Sequence, residues 1–557
     1  MINGDILRDA WISAANNIGN QRKAVDDLNI FPVPDGDTGT NMSMTLSNAA
    51  RELEKLSGET AGKVAAVNSS ALLRGARGNS GVITSLLFRG FAKGIGNDEF
   101  LTPQNVKDAF AFGVEAAYKS VMKPTEGTIL TVARVASEYA NEAFEKGEDE
   151  LAIFGYALEG AKKALAETPE MLPVLKKAGV VDAGGCGFVI ILEGMYSVLK
   201  NGVIIKNNFA AESGEQQSES FNAAGEIESE ITFTYCTEYI VNRNRECDKN
   251  PAELRTYLES IGDCVVVVDD EEIIKVHVHT DHPGNAIENA LNFGSLVNLK
   301  IENMRDQHER AKHDAENAKK KPTKNSDRSE SFVPVEPTKP FGFVSVCAGD
   351  GLAALFKDLG VDTIVSGGQT MNPSTDDILK AIETTPAETV FVLPNNKNII
   401  MAAEQAIPIS TRKVIVIHTR TIPQGISAML SFDPDSDANA NAIEMQKATE
   451  RIATGQVTFA ARDAEFDGFK IKQGEIMALL GGKVIFTDTE LEKSVLKLLK
   501  KMVKNDSEFI TVIYGEDVTE EQAASIEEQI NEKFGQRAEI TFINGGQPIY
   551  YYIISVE

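Results

Sequence analysis

The sequence predicts a multidomain fold: an all-α domain over residues 1–205, a small α/β middle domain over 225–307 and a larger α/β domain over 341–557. Three observations carry this. Apolar residues recur at three- and four-residue spacing through the first 200 or so residues, then at alternate positions from Ile231. Two stretches, 206–224 and 308–340, are polar and poor in large apolar residues, and read as a linker and a flexible charged tether. Beyond Phe341, strand-like and helix-like segments alternate, the pattern of a layered α/β domain.

Within residues 1–205 the sets Ile6/Ala10/Ile12, Leu72/Leu73/Ala76, Val82/Leu86/Leu87 and Phe110/Val114/Ala117 follow the helical period. Gly58, Gly96, Pro103, Pro124, Gly147 and Pro173 divide the run into helices of ordinary length. Antiparallel helices with short connections gather their loops at the two ends of a bundle.

One of those loops is dense in chemistry. In Asn29-Ile-Phe-Pro-Val-Pro-Asp35-Gly36-Asp37-Thr38-Gly39-Thr40-Asn41, two carboxylates sit one residue apart just before a helical run. Pro32 and Pro34 hold the chain extended, Gly36 and Gly39 permit a tight turn, and Thr38, Thr40 and Asn41 are capping types. A helix start attracts anions, whereas Asp35 and Asp37 repel them unless a cation lies between. The pair therefore reads as ligands of a divalent ion that bridges to phosphate. Mg2+ suits this, being held by one or two carboxylates and completed by phosphate oxygens. The competing reading is a surface turn with an N-cap.

Three more turns favour the first reading. Arg74-Gly-Ala-Arg77-Gly78-Asn79-Ser80-Gly81, Pro124-Thr125-Glu126-Gly127-Thr128 and Val181-Asp182-Ala183-Gly184-Gly185-Cys186-Gly187 each open a helix-like run. The four turns are expected to converge on one polyanion at an end of the bundle. Thr38, Thr40, Asn41, Asn79, Ser80, Gly81, Thr128, Gly184 and Gly185 are the candidate contacts to it, although capping is the commoner role of a lone Ser, Thr or Asn at a helix start. Arg77 is the candidate for neutralising developing phosphate charge, against the plainer reading of an exposed arginine. Cys186 reads as a small buried hydrophobe, with no histidine near it in sequence to activate it.

Composition narrows the function classes. The formal net charge of −27 disfavours nucleic acid and anionic membranes as partners. No apolar run of membrane-span length and no secretory leader stands out, and the five cysteines are scattered, so a cytoplasmic location is expected. No histidine precedes His277, which excludes Ser–His or Cys–His hydrolysis within residues 1–205. Phosphoryl transfer needs no histidine, being mostly positioning and charge neutralisation. No G-x-x-x-x-G-K-[ST] loop occurs.

In the middle domain, strands are expected over Ile231–Val241, Cys264–Val268 and Ile273–His279, with a helix over Pro251–Ile261. His277 and His279 share one face of their strand, and Cys236 on another strand would complete a Cys/His/His zinc set, with Glu238, Asp281, His282 or water as fourth ligand. An H-x-H pair is more often coincidence. In the last domain the expected strands are Phe343–Val346, Thr363–Ser366, Thr389–Leu393, Lys413–His418, Gln456–Ala461, Glu475–Phe486, Phe509–Tyr514, Ala538–Ile543 and Tyr550–Val556, with helices such as Asp376–Glu383 and Glu520–Phe534 between them. Loops rich in polar or Gly residues at Cys347–Gly351, Ser366–Pro373 and Pro394–Lys397 fall at strand ends, where α/β folds bind ligands.

The four turns, in order over most of residues 1–200, together resemble the nucleotide-binding (DhaL-type) domain of dihydroxyacetone kinases. The closer resemblance is to the catalytic subunit of bacterial fatty acid kinase, and it extends to Tyr235-Cys-Thr-Glu and to the segment His277–Gly284. It implies an antiparallel helical barrel with ATP and Mg2+ at one mouth. Where that family carries a third aspartate, this chain has Asn29, taken as its replacement. The resemblance also implies a zinc site at Cys236, His277 and His279, and a DegV-like, partner-docking domain at 341–557.

The activity expected from these readings is transfer of the γ-phosphoryl of ATP to a fatty acid carboxylate, giving an acyl phosphate for phospholipid synthesis. A separate fatty-acid-binding protein would present the acid, since no lipid-binding stripe stands out in residues 1–200, and a homodimer is compatible with the resemblance. The alternatives are a dihydroxyacetone-kinase-like enzyme acting on a small hydroxyl compound and a non-catalytic nucleotide sensor.

Overall fold

The computed structural model describes residues 1–29, 37–121, 124–207, 234–243, 251–269, 273–303, 335–368, 371–466 and 469–557. They fall into two compact units. One joins the residues up to 215 with those from 332 onward, and the other lies between them in sequence.

The first unit begins with a short strand β1 (Ile2–Asn3) and the helices α1 (Gly4–Asp26), α2 (Thr38–Leu53), α3 (Ala61–Gly75) and α4 (Gly78–Ile95). After β2 (Phe100–Leu101) come α5 (Pro103–Ser120), α6 (Ile129–Glu145), α7 (Glu150–Met171), the short α8 (Pro173–Ala178) and α9 (Ala183–Asn201). Helix starts are specified locally. Asn3 caps α1, Asp149 caps α7, and Thr102 with Asn105 forms a capping box on α5. The long helices from α1 to α7 each pack on the next in sequence, and α9 packs on both α7 and α1, closing a ring.

Small residues set the spacing in that ring. A Cβ on Gly90 would stand 2.2 Å from the Gly113 nitrogen, and one on Gly194 would stand 2.6 Å from the Ala14 Cα. The α4–α5 and α1–α9 contacts are therefore backbone against backbone. The centre holds an edge-to-face aromatic chain, with Trp11–Phe88 at 4.2 Å and Phe91–Phe110 at 4.8 Å between ring centroids. Helix α9 corrects one expectation, because it is long and apolar enough by composition to cross a membrane. Its Phe188, Ile191, Leu192 and Met195 are buried in the core of the ring, which is where a helix apolar on most sides belongs.

The middle unit contains β3 (Tyr235–Arg243), α10 (Pro251–Ile261), β4 (Gly262–Asp269), β5 (Ile273–Thr280), α11 (Pro283–Ala290) and β6 (Gly294–Asn303). The antiparallel sheet runs β4-β5-β3-β6. Tyr239, Val241, Ile274, Val276 and Val278 bury against Leu254, Leu258, Ala286 and Ala290. The sequence reading lacked α11 and β6.

The remainder of the first unit opens with β7 (Lys339–Cys347), α12 (Asp350–Asp358), β8 (Thr363–Ser366), α13 (Thr375–Thr384), β9 (Ala387–Leu393) and α14 (Ile400–Ala406). It continues through β10 (Lys413–Val416), α15 (Ile422–Leu430), α16 (Ala438–Arg451), β11 (Ala453–Phe459), β12 (Ala464–Phe466), β13 (Phe469–Ile471), β14 (Ile476–Leu480) and β15 (Lys483–Asp488). It ends with α17 (Leu491–Met502), β16 (Phe509–Tyr514), α18 (Glu520–Phe534), β17 (Glu539–Asn544) and β18 (Tyr550–Val556). A parallel sheet, β10-β9-β7-β8, lies beside a mainly antiparallel one, β15-β14-β11-β18-β16-β17.

Two sequence expectations change here. The single strand expected over Glu475–Phe486 is a hairpin: Gly481 (φ 56°) and Gly482 (φ 80°) form a two-residue turn between the paired Leu480 and Lys483. Both turn residues need positive φ, which glycine adopts without steric cost. The end of the expected tether is pinned, since Val335 N–H donates to the Glu383 carbonyl and Thr338 N–H to that of Pro386. The linker over 206–224 and the rest of the 308–340 tether fall almost wholly outside the described residues.

The all-α and last α/β segments, read separately in the sequence, share a hydrophobic core. Ala76, Val82 and Leu86 of the ring cluster with Val344, Val346, Ile378, Ile382, Val390, Ile399 and Ala403. Burying each Val- or Leu-sized side chain stabilises by roughly 1.5–3 kcal/mol. The backbone is continuous across the seam too, with Thr375 N–H donating to the Ala76 carbonyl and Arg77 paired with Ser374 as a β-bridge.

Candidate phosphate-binding site

The starts of four helices meet at one cleft of about 310 Å³. The turn before α2 contributes Asn29, Asp37, Thr38 and Asn41; α4 contributes Asn79 and Ser80; α6 contributes Thr128 and Ile129; and α9 contributes Asp182 and Gly184. Lys397 and Asn398, from the loop between β9 and α14, complete the lining. Asp35 lies outside the described residues.

The four helix starts differ in how their backbone N–H groups are satisfied. At α2, Asp26 from the end of α1 acts as a remote cap: its Oδ1 accepts from Gly39 N at 2.7 Å and Thr40 N at 3.1 Å, and its Oδ2 accepts from Thr40 Oγ1 at 2.7 Å. This corrects the placing of Thr40, whose donors are spent on Asp26. Burial pushes the Asp26 carboxyl up, and the bonds from Thr40 and Gly39 oppose that shift. Asn29 donates to the Asp26 carbonyl at 3.0 Å and accepts from Thr38 Oγ1 at 2.9 Å, which fixes its side-chain amide in the cleft wall that Asp37 also lines.

Asp182 ties two helix starts together. Its Oδ2 accepts from Gly185 N at 2.7 Å, and its carboxylate also accepts from the Ile129 N–H. Burial raises its pKa and those two bonds lower it, with burial the larger effect. Gly185 is therefore a capped backbone donor rather than a ligand contact, and the acidic residue between the two turns is one the sequence reading did not single out. The D-A-G-G order, an N-cap type before a helix run, was the available signal.

At α4 the N-cap residue, Arg77, makes no capping bond through its side chain. The cleft is lined by the first turn of this helix, at Asn79 and Ser80. Helix N-termini left open in this way favour anions. Gly78 sits at φ 56°, and a Cβ there would stand 2.4 Å from Asn41 Nδ2. Only glycine lets the helix start approach that amide. Asn79 Oδ1 is buried with no hydrogen-bond partner among the described residues, and Asn79 Nδ2 approaches Asn398 Oδ1 at 3.4 Å. Gly81 packs under the helix against Thr45, outside the cleft lining.

Arg77 is not in the cleft. Its Nη1 donates to the Asn372 carbonyl at 2.7 Å and its Nη2 stands 3.4 Å from Asp377 Oδ2. Its guanidinium is committed to the seam, which corrects its assignment as the cation that neutralises phosphate. Cys186 is half-buried, with its thiol pushed up by burial, as a small hydrophobe at the rim of α9 would be.

The donor set at Asp37, Asn29, Thr38 and Ser80 is all oxygen, the preference of Mg2+. Among the described residues no three His, Cys, Asp or Glu side chains form a metal-binding group. In the middle unit, β3 and β5 set Cys236 opposite His279 and Glu238 opposite His277 in backbone register. The side chains of those residues lie outside the described set.

Comparison with known proteins follows the same division. A DAK2 domain model matches residues 32–197, a FakA-like fatty acid kinase middle-domain model matches 232–311, and a FakA-like fatty acid kinase C-terminal model matches 342–557. Protein YloV of Bacillus subtilis is 41% identical over 563 residues, covering 100% of this chain and 99% of its own. Among solved structures, a fatty-acid-binding DegV family protein from Thermus thermophilus is 15% identical over 39% of this chain and 99% of its own, at a TM-score of 0.30. The dihydroxyacetone kinase of C. freundii, in complex with AMP-PNP and Mg2+, is 15% identical over 35% of this chain and 34% of its own, at a TM-score of 0.28. The matched domains indicate a kinase of the fatty acid kinase type. With all three domain models matched in order and a full-length relative at 41% identity, the chain belongs to the FakA-like fatty acid kinase family.

Proposed function

We propose that this protein transfers the γ-phosphoryl of ATP to the carboxylate of a fatty acid presented by a separate fatty-acid-binding protein, in the cytoplasm. A carboxylate oxygen forms a bond to the γ-phosphorus as the bond to the β,γ-bridging oxygen breaks. The electron pair leaves on ADP, and the product is an acyl phosphate for phospholipid synthesis. The observation that carries this reading is the convergence of four polar helix starts on one oxygen-lined cleft. The uncapped first turn of α4 holds phosphate oxygens, and Asn79, Ser80 and Thr128 orient them. Asp37 and Asn29, with Asp35, would hold Mg2+, which would supply positive charge to offset that of the phosphates. The cleft lining is polar apart from Ile83 and Ile129, which supports presentation of the acyl chain from outside.

The test is phosphoryl transfer from labelled ATP, with Mg2+, to oleate or palmitate, with and without the fatty-acid-binding protein from the same source. Acyl phosphate formed only with that protein supports the reading. Transfer to dihydroxyacetone instead would move the chain to the second reading, which the DAK2 match favours. ATP binding with no transfer would leave a sensor.

Zinc in the middle unit is part of the same proposal, on the register of Cys236 with His279. Its role there would be structural or for docking a partner, and metal analysis of the purified chain tests it.

A further inference from the structure

We propose that the last α/β segment supplies the catalytic cation of the kinase site, Lys397. This rests on reading the cleft as the nucleotide site. Among the described residues lining the cleft, Lys397 carries the only positive charge, alongside Asp37 and Asp182. ATP brings about four negative charges into a protein of net charge −27, and a cation beyond the metal would offset part of the charge near the transferred group. Arg77, the cation expected from the ring helices, contacts Asn372 and Asp377 and does not line the cleft.

The loop that carries Lys397 is built for fixed placement. Asn395 holds a left-handed backbone (φ 56°), donates from Nδ2 to Ser345 Oγ at 2.9 Å and to the Val346 carbonyl at 3.0 Å, and its N–H donates to Thr419 Oγ1 at 3.0 Å. A Cβ on Gly425 would stand 2.2 Å from Asn395 Oδ1, so the neighbouring helix closes on the loop from the other side. Asn396 donates to the Gly368 carbonyl and accepts from Asn398 N. Directly after the loop, Ile399, Ala402 and Ala403 enter the core shared with Ala76, Val82 and Leu86. The loop is therefore anchored to both the parallel sheet and the helix that opens the phosphate site. Such second-layer support is what preorganised charge in an active site requires.

In the transfer step Lys397 would stabilise the oxygens of the migrating phosphoryl group and the charge that builds on the departing ADP. No proton leaves the ammonium in that step.

The experiment compares the full-length wild type with Lys397→Met and Lys397→Arg, reading nucleotide binding by a fluorescent ATP analogue and transfer with the fatty-acid-binding protein. Lys397→Met is expected to lower kcat by about 100-fold or more while nucleotide affinity changes less than about fivefold. Lys397→Arg should restore part of the rate. A Lys397→Met variant that folds and transfers at the wild-type rate overturns the proposal while leaving the kinase reading intact. Failure of the wild type to bind nucleotide overturns the underlying reading instead. Near-UV circular dichroism of both variants separates loss of fold from loss of charge.

Discussion

Asn372 donates from Nδ2 to Asp37 Oδ2 at 2.5 Å, joining residues 335 positions apart in the chain. Asp37 is the described member of the carboxylate pair that opens the candidate phosphate site, and Asn372 stands just before α13 on the opposite side of the seam. A proposed metal ligand in the helical ring is thus oriented by the domain that follows the tether. The same Asn372 accepts Arg77 through its carbonyl, so one residue from across the seam holds both Asp37 and Arg77 of the ring.

Removing this contact should disturb catalysis more than folding. Asn372→Ala is expected to lower kcat by roughly tenfold, with Asp37→Ala costing about 100-fold or more, because positioning groups carry less than the ligand they position. The two changes combined should cost little more than Asp37→Ala alone. Steady-state transfer rates for the three variants check this, and simple additivity would show that Asn372 does not act through Asp37.

Arg77 should behave as a clamp. Arg77→Ala removes a charge-assisted hydrogen bond across the seam, a loss of about 1.5–3 kcal/mol, and Arg77→Lys should fail to restore it because the fork-shaped donor is lost. Thermal unfolding and protease sensitivity of the 335–557 region are the readouts. A large drop in kcat at unchanged stability would return Arg77 to the chemistry.

Leu86 lies on α4, 3% exposed, in the core common to the ring and the parallel sheet. Leu86→Ala is expected to destabilise by about 2–5 kcal/mol, as large-to-small changes in packed cores do. Chemical denaturation should show the ring and the last α/β segment losing structure together in the wild type. Separate transitions in the variant would locate the damage at the seam.

Asp182 sets a pH dependence. Its carboxyl is raised above the ordinary 3.8 by burial, so between the two values the folded state binds more protons than the unfolded one. Stability on this account falls as pH rises through that window, and Asp182→Asn should flatten that slope while keeping an acceptor for Gly185 N–H. Melting temperature measured from below about pH 4 upward decides it, and an unchanged slope in the variant assigns the effect elsewhere.

Cys236→Ser and His279→Ala should each lower the zinc content of the purified chain if the register-paired residues hold metal. Equal zinc in wild type and variants, or none in either, removes the metal from the middle unit.

Much of the plan could be read locally. Helices of the ring follow from apolar spacing and caps, and the turns at Asp37, Asn79, Thr128 and Gly184 are marked by Gly beside donor types. The hairpin at Gly481-Gly482 was as local a signal as any, yet a continuous apolar run on either side masked it. Thr40 and Gly185 were misplaced for a different reason. Which acceptor takes a free N–H depends on what packs nearby, and the answers, Asp26 and Asp182, required the folded chain.

By itself the sequence determined most of the elements and their order and pointed to the kind of chemistry, because periodicity, capping and turn preference act over a few residues. Only the tertiary structure decided that the last α/β segment closes on the ring rather than hanging from a tether. It also decided that Arg77 is spent in the seam and that Lys397 enters the cleft. The seam depends on apolar faces such as Val82/Leu86 and Ile399/Ala403 finding one another across more than 300 residues. Burial is non-directional, so a one-dimensional pattern shows that a face must be covered but not by what.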